Sequence, residues 1–241
     1  MRQLLFFALI VIVFTAKAQK DAAYWFDKGD EAAEKKDYKE AVKHFAKGLK
    51  LNPKDTDAYY NKGLAENELG KYDDAILDFT KVIELNSKDA DAYADRGLAK
   101  YQLNKYGEAI DDYTQAILLN PKKDRYYLNR GNAKFDLEKY TDAFEDLEKA
   151  IELNPQSAYI YYTRGNAQFD LGNYKEAIED YTKAIEYNPK NIYAYYTRGL
   201  AKYNLNNYKE AIDDYNKAIE LNPNDKDFKE SLLRAKEKLP K

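Results

Sequence analysis

Glycine recurs at a fixed interval along most of this 241-residue chain. Consecutive members of one set lie 34 positions apart: Gly29, Gly63, Gly97, Gly131, Gly165 and Gly199. A constant period of this length is typical of a solenoid, in which a small unit stacks on copies of itself because it cannot bury its apolar face alone. The period therefore constrains the fold more than the length does, and it predicts an extended surface on which a ligand is held.

Other repeated residues fall into register when these glycines are aligned. An aromatic residue lies four positions before each glycine, a tyrosine nine positions after it and an alanine twelve positions after it. Sixteen positions after it comes a large apolar residue: Phe45, Phe79, Tyr113, Leu147, Tyr181 and Tyr215. Asn-Pro closes five of the six units, and Asn86-Ser87 closes the second. Apolar residues at spacings of three and four predict two amphipathic helices per unit, joined by a short turn.

The pattern resembles the tetratricopeptide repeat family over about residues 22–225. The resemblance implies an all-α, right-handed α-solenoid of six helix-turn-helix units, at residues 22–55, 56–89, 90–123, 124–157, 158–191 and 192–225. Residues 226–241 are predicted to form a capping helix, with an apolar side made of Phe228, Leu232, Leu233 and Leu239. The family often has leucine just before the glycine, whereas this chain has Lys28, Lys62, Arg96, Arg130, Arg164 and Arg198.

The repeated glycines lie inside predicted helices, where glycine costs about 0.5–1 kcal/mol relative to alanine. Close approach of two helices is the expected reason for keeping it. We therefore expect the glycine of the first helix to meet the small alanine of the second, twelve positions later. A bulky residue at Gly165 should then force the two helices apart.

The amino terminus reads as a secretory signal peptide over residues 1–18, cleaved after Ala18. Arg2 precedes the apolar run 4–16, and Ala16-Lys17-Ala18 has the small residues of a cleavage site. The run is shorter than the ~20 residues of a membrane span, although an uncleaved anchor is the alternative. We expect a periplasmic or secreted protein with no stable membrane insertion after cleavage. The chain has no cysteine, which excludes disulfides and the lipid anchor of bacterial lipoproteins.

Residues that carry chemistry are scarce. His44 is the only histidine, and no serine lies in a nucleophile motif. Neighbouring carboxylates are interpreted as a solvated face with local charge pairs rather than a calcium site, as at Asp111-Asp112, Glu179-Asp180 and Asp213-Asp214. The net charge of −3 and the lack of a basic stripe argue against nucleic acid. We expect a protein that is not an enzyme and that uses no cofactor and no metal.

The remaining candidate is the concave surface, which the resemblance places on the first helix of each unit. Most tyrosines outside the repeat core fall on positions of this surface. The predicted ligand groove consists of Tyr60, Asp91, Asp95, Tyr101, Arg125, Asn129, Asn132, Phe135, Tyr159, Tyr162, Asn166, Phe169, Tyr193, Tyr196 and Tyr203. Its amino-terminal half is acidic, with further groove positions at Asp27, Asp30, Glu34 and Glu68. Its carboxyl-terminal half is rich in rings and amides.

Two interpretations of these rings stay open. The rings either cover neighbouring helices and contribute only packing, or they form a ligand surface, for which tyrosine is well suited. The second interpretation predicts a non-enzymatic scaffold that binds a protein or peptide partner in the groove. A glycan-binding module of the cell envelope is the alternative, because rings beside amides also hold sugars. The lysine that the family uses to clamp acidic carboxyl termini is missing, so we predict no binding of such peptides.

Overall fold

A computed structural model describes residues 20–239 of the chain. This part of the chain contains thirteen helices and no strand, beginning with α1 at residues 20–34. The others are α2 Tyr38–Leu51, α3 Thr56–Glu68, α4 Tyr72–Leu85, α5 Ala90–Gln102, α6 Tyr106–Leu119, α7 Asp124–Asp136, α8 Tyr140–Leu153, α9 Ala158–Asp170, α10 Tyr174–Tyr187, α11 Ile192–Asn204, α12 Tyr208–Leu221 and α13 Lys226–Glu237. The prediction of an all-α chain of helix-turn-helix repeats is confirmed. The predicted signal peptide lies outside the described residues.

The chain divides into two compact units, unit 1 at Met1–Lys122 and unit 2 at Lys123–Lys241. Unit 1 holds α1 to α6, and unit 2 holds α7 to α13. Inside each unit, a second helix packs between the first helix of its own repeat and that of the next, as α4 does between α3 and α5. First helices of neighbouring repeats also touch, as α9 does with α11. The apolar core of each unit is therefore a row of clusters between helices, as expected for stacked repeats.

The turn between the two helices of a repeat always contains one residue with positive φ. Glycine occupies this position only at Gly70 and Gly172. The other repeats place Lys36, Asn104, Glu138 and Asn206 there, with φ between 59° and 62°. In the first repeat the Asp37 N–H donates to the Ala32 carbonyl at 2.8 Å, closing the six-residue Schellman turn. This hydrogen bond satisfies a backbone carbonyl at the end of the helix, even where a residue other than glycine makes the positive φ unfavourable.

The junctions between repeats follow one pattern of capping. Helix α2 ends at Leu51, and the Asn52 N–H donates to the Gly48 carbonyl. Helix α4 ends at the equivalent Leu85 although serine rather than proline follows Asn86, so proline is not required to end it. Side-chain caps at the start of the next first helix are Asp55, Asp89, Ser157, Asn191 and Asp225. Helix α7 begins after Lys123, which makes no side-chain cap bond.

The periodic glycines do lie where two helices approach closely, but the expected partner is wrong. A Cβ placed on Gly165 would lie 2.8 Å from Cε1 of Tyr181, the ring sixteen positions later. The same ring position meets the glycine at Gly29, Gly63, Gly97 and Gly199. The alanine twelve positions later contributes only a carbonyl oxygen, at Gly97 and Gly131. Glycine is needed because a large buried side chain, rather than a small one, fills the space above it.

The sequence interpretation of the paired carboxylates is wrong for the second member of each pair. Asp112 is only 4% exposed and accepts from Arg96 of the first helix in the same repeat, at 2.6 and 3.0 Å. The equivalent pairs are Lys62–Asp78, Arg130–Asp146, Arg164–Asp180 and Arg198–Asp214. In five of the six repeats, the basic residue that departs from the family pattern is therefore the partner of a buried aspartate, and the two together link the helices of a repeat.

Helix α13 closes unit 2 against α12. Phe228 and Ala235 are buried, and Leu232 packs against the cluster around Tyr215. Leu233 is 60% exposed, so its assignment to the apolar side of this helix is wrong. Leu233 occupies the position of the periodic glycine, 34 residues after Gly199. This position faces solvent because no second helix follows α13 in the described residues to cover it.

Candidate functional site

The structure places all fifteen predicted groove residues on first helices of the repeats. Four lie in unit 1, on α3 and α5, and eleven lie in unit 2, on α7, α9 and α11. Each unit therefore carries its own part of the predicted groove. We call the eleven residues of unit 2 the aromatic face. Its rings are Phe135, Tyr159, Tyr162, Phe169, Tyr193, Tyr196 and Tyr203, and its polar residues are Arg125, Asn129, Asn132 and Asn166.

In four repeats, a ring near the end of the first helix packs at a steep angle against the tyrosine that opens the second helix. Phe135 lies 5.1 Å from Tyr140 between ring centroids, and Phe169 lies 5.2 Å from Tyr174. Tyr203–Tyr208 repeats this contact at 5.2 Å, and Tyr101–Tyr106 in unit 1 at 5.3 Å. These distances and angles are favourable for aromatic pairs. The packing interpretation therefore applies to this part of the predicted groove.

Two further rings of the aromatic face also contact the core. Tyr162 packs against the cluster of Ala177, Tyr181 and Ala201, and burial raises the pKa of its hydroxyl. The Tyr196 ring lies 4.6 Å from Phe228 of α13, and its hydroxyl lies 3.2 Å from Oγ of Ser231. Both rings remain half-buried. Each of these two rings is thus partly covered by the core, and together they form the floor of the aromatic face.

Tyr159 and Tyr193 are different because they project from the protein. They occupy the same position in the first turns of α9 and α11, and they are 63% and 61% exposed. Both lie near Tyr162, whose hydroxyl they influence electrostatically. Tyr193 meets the Phe228 ring edge-on, at 6.5 Å between ring centroids. The remaining area of the two exposed rings, with the half-buried Tyr162 beside them, is apolar surface that the fold itself does not use.

The polar residues of the aromatic face are half-buried. The Tyr181 hydroxyl donates to Oδ1 of Asn166 at 2.9 Å, so this oxygen is already used inside the repeat. Asn129 and Asn132 lie one repeat earlier, on α7, and are half-buried as well. The Arg125 guanidinium lies 5.3 Å from the ring centroid of Tyr126.

The predicted acidic residues of unit 1 are less available than the sequence indicates. Asp95 is buried and accepts a hydrogen bond of 2.5 Å from the Tyr60 hydroxyl across two neighbouring first helices. Asp91 is half-buried at the start of α5. This Tyr60–Asp95 contact was not visible in the sequence, because the two residues are 35 positions apart. Its only sequence signal is that this separation is close to the repeat period.

Features typical of other kinds of site are few in the described part of the chain. Between residues 20 and 239, no group of three or more histidine, cysteine or acidic residues is arranged to hold a metal ion. No helix in this range has the length and apolar character needed to cross a bilayer. His44 stacks on Trp25 at 5.4 Å and lies 3.7 Å from Glu40, within the helical packing of the first repeat.

Comparison with protein families assigns the repeats. A model described as tetratricopeptide repeat matches residues 56–89, 90–123, 158–191 and 192–225. A second, described as TPR repeat, matches residues 29–66 and 131–172. The chain belongs to the tetratricopeptide repeat family. A comparison with curated proteins finds no significant match.

Solved structures with the tetratricopeptide fold resemble this chain over most of its length. A MamA protein is 28% identical, covers 69% of this chain and 91% of its own, and superposes with a TM-score of 0.61. YrrB, described as a TPR protein with an unusual peptide-binding site, is 24% identical over 80% of this chain and 97% of its own, with a TM-score of 0.60. A tetratricopeptide repeat protein from Parabacteroides merdae is 18% identical over 90% and 99%, with a TM-score of 0.68.

Proposed function

We propose that this tetratricopeptide repeat protein is a non-enzymatic scaffold that holds a segment of a partner protein against the aromatic face of unit 2. The observation that carries the proposal is the pair Tyr159 and Tyr193, which are exposed at equivalent positions of adjacent helices. Tyrosine is enriched among the residues that dominate binding energy, because its ring is rigid and its hydroxyl stays hydrated until it is bound. Membership of the family and the peptide-binding site described for YrrB support a peptide or protein as the partner.

The surroundings of the two tyrosines suit an extended or helical segment. Tyr162 and Tyr196 provide a half-buried floor, which is preorganised by contacts with Tyr181 and Phe228. A preorganised surface loses little conformational entropy on binding. Amides of Asn132 and Asn166 lie on the same face of the first helices, where they can bond the backbone of the partner.

The test is a selection of binding peptides from a displayed library of random segments, followed by calorimetric titration of each selected peptide. Changing Tyr159→Ala and Tyr193→Ala together should weaken binding by more than about tenfold per ring, because each truncation removes apolar area without creating a core cavity. Tyr24→Ala is the matched control, since Tyr24 is an exposed tyrosine of α1 in unit 1. Equal affinity of the native protein and the double variant would reject the aromatic face as the binding surface.

A panel of soluble cell-wall fragments separates the glycan alternative from the scaffold. Saturable binding of a polysaccharide that is lost in the Tyr159→Ala/Tyr193→Ala variant, without any selected peptide, would favour a glycan-binding module. No feature of the described residues favours sugar over peptide, so the scaffold is the function proposed.

The missing clamp lysine makes a further prediction for acidic carboxyl termini. The positions that the family uses for this lysine hold Phe26, Tyr60, Ala94, Leu128, Tyr162 and Tyr196. We expect a peptide that ends in acidic residues to show no binding at micromolar concentration. Micromolar affinity in a titration would contradict this.

We also propose that the protein is exported and processed after Ala18, because residues 1–18 have the pattern of a signal peptide. Amino-terminal sequencing of the protein from the periplasmic or secreted fraction should begin at Gln19. An intact Met1 in a membrane fraction would instead support the uncleaved anchor.

A further inference from the structure

The first repeat lacks a ring that four later repeats share. Four positions after the periodic glycine, those repeats have Tyr101, Phe135, Phe169 or Tyr203, each packed against the tyrosine that opens the second helix. The first repeat has Ala33 at this position, opposite Tyr38. The alanine leaves the space of one aromatic side chain unfilled above Tyr38.

A depression of about 540 Å³ occupies this place in unit 1. Its apolar lining includes Ala33, Tyr38 and Leu64, from α1, α2 and α3. This volume lies in the range of small-ligand sites and is ample for one long side chain. The depression lies beside the small side chain of Ala33, at the position where four later repeats carry a ring and the second repeat carries Asn67.

The remaining lining carries negative charge. Asp30, Glu34 and Glu68 border the depression, and all three are exposed. None of them forms an ion pair with any residue in the range 20–239, whereas the buried Asp112, Asp146, Asp180 and Asp214 of the later repeats each do. Oδ1 of Asp30 accepts a hydrogen bond from the Asn61 amide, at 3.1 Å. Three carboxylates around an apolar floor complement a ligand that has an apolar stem and a cationic end.

We propose that this depression takes an arginine or lysine side chain from an extended segment of a partner protein. The methylene stem lies along Ala33 and Leu64, which is how long basic side chains commonly pack. The cation lies beside the Tyr38 ring and bonds the surrounding carboxylates. Arginine binds more tightly than lysine, because its planar guanidinium both stacks on a ring and forms two parallel bonds to a carboxylate. The inference rests on the proposed function, since it takes the partner to be a polypeptide.

The test uses capped amino acids as probes on the full, isotope-labelled chain, followed by nuclear magnetic resonance. N-acetyl-arginine methylamide should shift the amide signals of Ala33, Leu64 and Ala65 in a saturable way. N-acetyl-leucine methylamide, which has no charge, should bind at least about fivefold more weakly. No saturation by the arginine probe up to about 50 mM, far above the roughly millimolar affinity expected of one side chain, would overturn the proposal. Equal binding of the leucine probe would overturn it too.

Two variants and one control locate the binding. Ala33→Phe supplies the ring found in later repeats, so it should fill the depression and abolish the shifts. Glu34→Gln with Glu68→Gln keeps the shape and should weaken the arginine probe at least about fivefold. The control is the double variant Asp57→Asn/Asp74→Asn, which removes the same charge from exposed positions of α3 and α4 outside the depression. If Ala33→Phe fails to fold, the Glu34→Gln/Glu68→Gln variant still tests the proposal. Unchanged affinity of that variant for the arginine probe would overturn it.

These outcomes are distinct from those that test the scaffold. Peptides that need Tyr159 and Tyr193 but ignore Ala33→Phe, with no binding of the arginine probe, would overturn this inference and leave the proposed function intact. Selected peptides with arginine or lysine at one fixed position, lost on Ala33→Phe, would support both. Binding of the arginine probe without any selected peptide would reject a polypeptide partner and point to a free amino acid or amine.

Discussion

At the scale of single residues, each periodic glycine is explained by the large side chain sixteen positions later, which is a ring in five repeats and Leu147 in the fourth. A Cβ on Gly97 would lie 2.9 Å from Cε1 of Tyr113 and 3.3 Å from the carbonyl oxygen of Ala109. Tyr113 is fully buried, so an added side chain at Gly97 would have to displace a packed core ring. The absence of a side chain at Gly97 is thus a packing requirement, which outweighs the entropic cost of glycine in a helix.

Gly97→Ala should therefore destabilise the protein by about 1–2 kcal/mol, because overpacking a full core costs more than the helix propensity gained. Gly107→Ala is the control, since Gly107 lies in α6 of the same unit with nothing within 4 Å of its added Cβ. This second change should raise stability by up to about 1 kcal/mol. Denaturant unfolding of both variants would show opposite signs. A stabilised Gly97→Ala protein would contradict the packing account.

Glu66 is the residue of unit 1 that conflicts with its surroundings. It is 2% exposed, and Nζ of Lys62 lies 2.7 Å from its Oε1 and 2.5 Å from Oδ2 of Asp78. Three other repeats have a second lysine at this position: Lys100, Lys134 and Lys202. One lysine cannot neutralise two buried carboxylates, so burial and the neighbouring Asp78 raise the pKa of Glu66 to about 8.

This pKa predicts a specific dependence of stability on pH. The unfolded chain ionises Glu66 near its ordinary value of about 4.3, whereas the folded protein keeps the proton up to about 8. The free energy of unfolding should therefore fall as the pH rises through this window and become level above it. Glu66→Gln should remove this slope and stabilise the protein at pH 8. Glu68→Gln, an exposed change on the same helix, should leave the slope in place. An unchanged profile in Glu66→Gln would rule out the buried acid as its cause.

At the scale of helices, the start of α7 is the one first-helix start among α3, α5, α7, α9 and α11 without a side-chain cap. Lys123 has the same extended backbone as Asp55, which accepts from the Ala58 N–H at 3.0 Å. Lys123→Asp should therefore add a cap and stabilise unit 2 by about 1 kcal/mol. Asp89→Ala should have the opposite effect on α5. Thermal unfolding of both variants checks these two predictions. If Lys123→Asp does not raise the stability, the cap bond does not form.

At the scale of the whole molecule, the two units offer surfaces of different physical character. The depression in unit 1 relies on charge, whereas the aromatic face of unit 2 relies on apolar area. Raising salt from about 0.1 to about 1 M shortens the Debye length from ~10 to ~3 Å, which weakens contacts between exposed charges. Affinity for the arginine probe should fall over this range, while affinity for peptides that need Tyr159 and Tyr193 should stay constant or rise. A parallel decline of both affinities would contradict the assignment of a charged binding surface to unit 1 and an apolar one to unit 2.

The periodic sequence determined the fold class by itself. The 34-residue spacing, the alternating helices and the apolar positions that fill the core all follow from a repeat in which each unit must be covered by the next. The rings at Phe45, Phe79 and Tyr113 are buried, as their periodic position indicates. The residues of the predicted groove all lie on first helices, because residues at one repeat position lie on one helical face.

Only the tertiary structure decided what each polar or aromatic residue contacts. Spacing indicates that Asp112 and Tyr196 each recur at one repeat position, but not that Arg96 crosses to Asp112 or that Phe228 covers Tyr196. It also does not distinguish the half-buried Tyr162 from the exposed Tyr159. These outcomes depend on distances between helices that are far apart in the sequence. Binding surface and core share the same repeat positions, and burial by neighbouring repeats assigns each side chain to one or the other.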